Sequence, residues 1–406
     1  MAAEIRGLES AEVREWLTTM VGVFGEDAKD EDLDLFAPRV EVERSHVAVE
    51  DGHMVGTAGI WTYETAVPGG SFVTQAGVTG VTVLPTHRRR MILTRLMERQ
   101  LDHVAERGEP FATLWASESA IYGRFGYGLA IEGADIELER HRVTLRTDGP
   151  AEGRVRLVDV DEARGVVPGI YDAATEGIPG TFRRTEADWT IYFADPEHWR
   201  NGRSERRWAV YERDGRALGY AAYRQKATWR DGLPAHELSV GDAQAVDGEA
   251  YAALYRFVIG IDLVEKISVA TRRVDEPLLD LLVDRRRATR RLSDKIWLRI
   301  VDVPAALEAR RYGVEGSIVL RVADDFGPWA DGTYRLEGGP DGARCTATDD
   351  DPDLVVPVAD LGSAYLGSSR LAQGRWLGRI DGDPDAAVLA DRMFGWHVEP
   401  WCTVHF

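Results

Sequence analysis

Cysteine is almost absent: 406 residues carry two, Cys345 and Cys402. Their number and separation exclude a disulfide framework and any zinc-ligand pattern, and no metal site is expected. Both are expected to be small buried residues rather than nucleophiles. No run of 18 apolar residues occurs, so no membrane span is expected. The opening MAAEIRGLESAEVREWL lacks the apolar core of a secretory leader, and a reducing, cytoplasmic setting is expected. Also missing is a G-x-G-x-x-G after a strand, which a dinucleotide fold would need. G-x-x-x-x-G-K-[ST], the loop of nucleotide hydrolases, is missing too. Positive charge is in deficit, 49 Lys and Arg against 68 Asp and Glu, for a formal charge of −19. Such a surface disfavours nucleic acid and leans toward cationic small molecules.

What is present is apolar content of 44%, enough for real cores, in a chain long enough for two or three domains. After Ser10 as N-cap, AEVREWLTTMVGVF has helical spacing. An acidic loop, GEDAKDEDLDLF, follows. VEVERSHVAVE and MVGTAGIWTYET read as strands joined by an Asp51-Gly52 turn. FVTQAGVTGVTVLP is a further strand ending at Pro85. Residues 90–107 predict a helix with Ile92, Leu93, Leu96, Met97, Leu101 and Val104 on one face. FATLWAS reads as a short buried strand and IYGRFGYG as a glycine-punctuated loop. TDGPAEG (147–153) reads as a linker. Beyond it, RRWAVYERDGRALGYAAYRQKATW repeats the strand, Asp-Gly turn and Gly-bearing strand of the first unit. That pattern fits either an internal duplication or the general look of a tight hairpin. EAYAALYRFVIGI and DEPLLDLLVD predict helices, and a third unit starts near residue 293. The fold class is α+β.

One stretch departs from the acidic background. PTHRRRMIL (85–93) places three arginines between a strand and a helix. Free N–H groups and a partial positive charge gather at a helix start. Arginine is disfavoured there unless an anion offsets it, so the knot suits a diphosphate as well as a solvated helix start.

VTVLPTHRRRMILTRLM resembles the acetyl-CoA motif of GCN5-related N-acetyltransferases (GNATs), an Arg/Gln-x-x-Gly-x-Gly/Ala stretch. Met91 and Leu93 stand where that motif has its small residues. Together with ASESAIYGRFGYG, IGIDLVEKISV, IWLRIVDVPAALEARRY and LGSAYLGSSRLA, it resembles the Eis (enhanced intracellular survival) family over nearly all of the chain. The resemblance implies a GNAT domain with the acetyl-CoA site at 1–147, a degenerate GNAT-like domain at 148–292, and a sterol carrier protein-like domain at 293–406. It further implies a homohexamer and acetyl transfer to primary amines, including those of aminoglycosides.

Residue by residue, the resemblance places the general acid on Tyr127 and the base on the terminal carboxylate of Phe406. Cofactor contacts fall on Val81, Val83, Arg88, Arg89, Met91 and Ile92, with Ser119 and Tyr122 beside the cleft. Met91 is expected to offer its N–H from ordinary helical geometry. His405 stands where a family member carries an acid. The chemistry is coherent: an ammonium must lose a proton before attacking a thioester, and the leaving thiolate needs one. The N–H of Val83 is a candidate to polarise the thioester carbonyl. For the amine pocket, placement suggests Glu26 and Asp27, with Phe24, Phe36, Trp189 and Trp199 as aromatic surface for a cation. His87 and His405 are candidates to titrate near neutral pH. Competing expectations are a protein-lysine or polyamine acetyltransferase, and a non-catalytic binding protein that uses its C-terminal region.

Overall fold

The computed structural model describes residues 3–146 and 152–406. The first five residues of the expected linker, and the expected boundary at 147/148, lie outside them. By their contacts the described residues form two compact units. The first comprises residues 3–131, 177–191 and 294–406, and the second 132–146, 152–176 and 192–293.

In the first unit β1 (Glu4–Gly7), α1 (Val13–Val23) and α2 (Asp30–Phe36) precede four strands, β2 (His46–Glu50), β3 (His53–Ala66), β4 (Phe72–Val83) and β5 (Phe111–Trp115). Between β4 and β5 lies α3 (Ile92–Glu106), after β5 comes α4 (Ser119–Tyr122), and β6 (Gly128–Glu139) starts in the first unit and continues as residues 132–139 of the second. The sheet runs β1-β2-β3-β4-β5, antiparallel except for β4 beside β5. Asp51 and Gly52 close the β2–β3 hairpin with φ of 51° and 79°, the left-handed pair that matches strand twist. The predicted helix at 90–107 is shorter: the strand ends at Val83, Pro85–His87 form a 3₁₀ turn, and α3 starts at Ile92. Ile92, Leu96, Met97, Leu101 and Val104 are buried, as their spacing predicts, whereas Leu93 is half-buried. Each fully buried side chain of this size contributes about 1.5–3 kcal/mol, so packing rather than propensity holds α3.

The second unit repeats this plan. Its elements are β7 (Arg154–Val158), α5 (Val160–Thr175), the end of α6 (Glu186–Phe193), β8 (Arg207–Arg213), β9 (Arg216–Lys226), β10 (His236–Ala245), α7 (Gly248–Gly260) and β11 (Val264–Arg272). Asp214 and Gly215 make the same left-handed turn as Asp51 and Gly52, with φ of 52° and 71°. The bulge beside the turn also repeats. Ala48 faces Gly56 and Val49 faces Met54, as Tyr211 faces Gly219 and Glu212 faces Ala217. A shared turn alone is common; a shared turn with a shared register shift favours duplication. DEPLLDLLVD departs from its helical expectation. Only one turn forms, Leu278–Leu281, and Leu282 is extended, bridged to Leu145.

The strand β12 (Ala288–Ile300) leads into the C-terminal region, and its residues 296–300 pair antiparallel with β5 in the first unit. There follow α8 (Val303–Ala309), β13 (Gly316–Ala323), β14 (Gly332–Gly339), β15 (Gly342–Ala347) and β16 (Leu354–Pro357), then α9 (Val358–Ala364), α10 (Leu371–Trp376) and α11 (Pro384–Phe394). Cys345 and Cys402 are buried and unbonded, and burial pushes both thiols up to about 12, so neither is poised as a nucleophile. No helix among the described residues is long and apolar enough to cross a membrane.

Candidate active site

β4 and β5 pair in parallel only at Ala76–Ala112, Gly77–Thr113 and Val78–Leu114, and then separate. The cause lies in β4. Thr79 and Thr82 face Gly59 and Thr57, three steps against two, so one residue is extra around Gly80, which takes φ of 59°. The bulge turns the end of β4 away from β5. Leu84 N donates to Val55 O. Strand alternation therefore aims the backbone groups of Val83 and Val81 at the opposite edge, where β5 has gone. An extended ligand can pair with that edge.

The basic knot follows at the mouth of this opening. Arg88 is extended, while Arg89 and Met91 both take φ of 62°. Met91 is thus left-handed at the N-cap of α3, contrary to the ordinary helical geometry expected of it. The position wants the glycine of the motif, and a side chain there costs roughly 1–2 kcal/mol. Met91 is 63% exposed, so its side chain lies in solvent and obstructs no packing. The α3 N-terminus has no side-chain cap. Arg90 and His87 both bind Glu50, at 2.8 and 2.9 Å, which fixes the loop to β2. Arg88 and Arg89 are exposed and make no ion pair among the described residues. Two of the three arginines therefore remain available to an anion. Ile92 uses its side chain in the core, leaving its backbone N–H at the helix start.

The second unit differs at this place. β10 pairs with β11 up to Val240 and bulges at Gly241, as β4 does at Gly80. Only Val246 and Asp247 then separate β10 from α7, and the Asp247 carboxylate caps Ala250 N at 2.9 Å while pairing with Arg213. A self-capped, anionic helix start repels a diphosphate. The repeat keeps the bulge, and its helix start is taken up by its own carboxylate.

Tyr127 packs in one cluster with Val78 of β4 and Leu114 of β5. Gly126 before it has φ of 80°, and a Cβ there would meet Arg299 Nη1 at 1.6 Å. A Cβ at Gly128 would meet Ala359 O at 1.7 Å. GRFGYG is therefore required by close approach as well as by the turn. The Tyr127 ring is fully buried with Val78, Leu114 and Tyr122, and Val81 and Leu93 pack against the same cluster. Its hydroxyl has no hydrogen-bond partner. Burial pushes the phenol well above its usual titration range, against a smaller opposing pull from Arg299. It stays protonated at neutral pH. Tyr122, 6.1 Å away ring to ring, is pushed up to about 12 by burial and by Glu118. Ser119 is exposed at the start of α4.

The last residues lie against the same strands. Trp115 Nε1 donates to Val404 O at 2.9 Å, and the His405 ring sits 4.8 Å from that of Trp115. Burial, with Lys295 nearby, lowers the His405 imidazole below its usual value, so it is neutral near pH 7 rather than titrating there. The Phe406 ring packs on Tyr63 at 5.2 Å and Phe182 at 5.6 Å, and a Cβ at Gly77 would meet it at 3.1 Å. Sequence reading missed the support beneath these rings. Asp188, buried, accepts from Arg39 Nε at 2.8 Å and from Tyr63 Oη at 3.3 Å. Arg39 lies 4.5 Å over Trp61 and 4.9 Å over Tyr63.

The amine-pocket candidates are placed less uniformly. Phe24 is 51% exposed at the end of α1, and Glu26 and Asp27 are exposed just after it. Phe36 is half-buried and packs against core residues, which makes it a wall rather than a free face. Trp189 already carries a cation, Arg184 at 4.7 Å above its ring, which contradicts its role as an open seat. Trp199 belongs to the second unit, away from these strands in sequence and in unit. Among the described residues no cluster of His, Cys, Asp and Glu could hold a metal.

Splayed parallel strands, a basic loop at an uncapped helix start and a buried tyrosine packed against both strands define a GCN5-related N-acetyltransferase. The acetyltransferase (GNAT) domain family matches residues 4–130, and a second GNAT domain family matches 180–300. The sterol carrier protein domain family matches 303–403. An N-acetyltransferase of Streptomyces avermitilis is 38% identical over 99% of both chains. The N-acetyltransferase Eis of Mycobacterium tuberculosis (strain ATCC 25177 / H37Ra) is 37% identical over 80% of both. The crystal structure of Eis1 from Mycobacterium abscessus superposes with a TM-score of 0.86 at 32% identity, covering 99% of this chain and all of that one. The chain belongs to the Eis family of N-acetyltransferases. It is an acetyltransferase built of two GNAT domains and a sterol carrier-like domain, and of the two readings of the repeated hairpin the two GNAT matches favour internal duplication.

Proposed function

We propose that this enzyme transfers the acetyl group of acetyl-CoA to primary amines of multi-amine small molecules, aminoglycosides among them. GNAT acetyltransferases use acetyl-CoA. The observation that carries the reading is the splay of β4 from β5 beside an uncapped α3 and two unpaired arginines. Val81 and Val83 would pair through their backbone with the pantetheine arm. Arg88, Arg89 and the N–H groups of Met91 and Ile92 would hold the diphosphate, with Ser119 and Tyr122 along the cleft. Acetyl-CoA supplies an activated acyl group with a thiolate leaving group. Tyr127, neutral and buried, holds the proton that this thiolate needs. The terminal carboxylate of Phe406 takes the proton of the attacking ammonium. No side-chain nucleophile is required, so transfer is direct.

Glu26, Asp27, Phe24, Phe36 and His405 are assigned to the acceptor side, with the acidic pair attracting the cation. The domain boundaries 1–147, 148–292 and 293–406 and a homohexamer belong to the same proposal. Incubation with acetyl-CoA and an aminoglycoside, followed by mass spectrometry, tests it. Successive acetyl additions to one aminoglycoside molecule support the reading. Acetylation confined to lysine side chains of a protein substrate favours the protein-directed alternative.

A further inference from the structure

The second unit contains a cavity of about 290 Å³ whose walls are unlike the rest of this acidic protein. Arg200, Arg203, Arg206 and Arg224 line it, against one lining carboxylate, Asp242. That carboxylate is engaged: it accepts from Tyr192 Oη at 2.8 Å, Tyr220 Oη at 2.7 Å and Gln244 at 2.9 Å. Asp195, just behind, binds Arg224 at 2.6 Å, Arg200 at 3.3 Å and the backbone N–H of Arg206 at 2.8 Å. Four guanidinium groups therefore share two carboxylates, a local excess of two positive charges.

Two of the four are poorly served. Arg203 Nε is buried with no hydrogen-bond partner, and none of its guanidinium nitrogens reaches an acceptor among the described residues. Arg206 is lodged against Tyr192 and Trp208, at 5.3 and 5.6 Å from their rings, and among the described residues its guanidinium donates to Tyr192 O alone. Burial and Arg224 both act against its charged form. A buried, underpaired guanidinium is costly unless an anion arrives. Trp199 and Tyr223 add apolar wall.

We propose that this cavity is a binding site for a small dianion of the phosphate-monoester type, its phosphate on Arg203 and Arg206 and its apolar part against Trp199 and Tyr223. Guanidinium forks match tetrahedral oxyanions, and a dianion offsets the excess of two charges. The site is independent of the acetyl-CoA cleft in the first unit, and of whether the enzyme acts on aminoglycosides.

Isothermal titration of the full chain with phenyl phosphate tests this, with inorganic phosphate and benzoate as comparators at constant ionic strength. One site per chain with a dissociation constant below about 1 mM is expected, with phenyl phosphate the tightest of the three. Arg203→Gln should weaken it at least about tenfold, the loss of one charge-assisted contact, and leave acetyl transfer unchanged. Because Arg206 is deeply seated, Arg206→Gln is scored only alongside thermal unfolding, and Arg203→Gln carries the decision. A chain with Arg88→Gln and Arg89→Gln should keep the response. No binding by the parent overturns the proposal. So does binding lost with Arg88 and Arg89 rather than with Arg203, or benzoate bound as tightly as phenyl phosphate.

Discussion

A Cβ placed on Gly77 would lie 3.1 Å from Cε2 of Phe406, and closer still, 2.7 Å, to the ring of Tyr63. The final residue thus rests on the one stretch where β4 and β5 still touch. Gly77→Ala should push both rings off this floor, at a cost of about 1–3 kcal/mol for overpacking. If Phe406 carries the base, kcat should fall about tenfold or more while acetyl-CoA affinity, whose proposed seat is further along β4, changes little. Steady-state kinetics beside a coenzyme-binding isotherm separates the two quantities.

Met91 offers a test of backbone conformation. Met91→Gly removes the left-handed penalty and should leave stability within about 1 kcal/mol of the parent, since glycine also loosens the unfolded chain. Met91→Val places a β-branched residue at φ of 62° and should destabilise by more than about 1 kcal/mol and weaken acetyl-CoA binding. Equal behaviour of the two in urea unfolding and coenzyme titration would refute a left-handed Met91.

Tyr127→Phe deletes a buried hydroxyl that has no partner. Stability should therefore hold or rise, because an unsatisfied polar group is costly. Activity should fall by about 10²–10⁴ if that hydroxyl is the general acid. A large loss of stability together with an unchanged rate would show a structural role. Because burial raises this phenol, the parent kcat should show no alkaline fall due to Tyr127 below about pH 10.

The coarse plan of this molecule is legible in its residues because tight turns and helical faces are local events. Asp51-Gly52 and Asp214-Gly215 announce two hairpins, and the apolar stripe of α3 announces its buried side. What escapes is non-local. Arg39 and Asp188 look like surface charges 149 positions apart, yet they form one buried pair beneath Tyr63. Trp189 reads as an open aromatic until Arg184 is seen above it. The helical expectation for DEPLLDLLVD follows from its leucine spacing, and the pairing of Leu282 with Leu145 overrules it after one turn. The left-handed Met91 has a signal that can be used: a motif position that elsewhere is glycine asks for positive φ even when another residue fills it.

Acid sensitivity should trace to His46. Its side chain is buried beside Arg99 and His103, and burial chiefly lowers its imidazole from 6.5 to about 4. The neutral form is the native one, so the fold keeps this contribution above pH 6.5 and loses it as pH falls toward 4. The loss is of the order of 3 kcal/mol across that window. His46→Leu should flatten the acid limb of stability, measured as urea midpoints between pH 7 and pH 4.5. An unchanged slope would assign the limb to other groups, His103 first, whose imidazole burial also lowers.

In the proposed reaction the α-carboxylate of Phe406 takes the amine proton while Tyr127 supplies one to the departing thiol. The most direct measurement is thiol release from acetyl-CoA with a multi-amine aminoglycoside, run on the parent and on a chain with a few residues added after Phe406. Rapid release by the parent and collapse in the extended chain are expected, with acetyl-CoA binding intact in both. Full activity in the extended chain would contradict it.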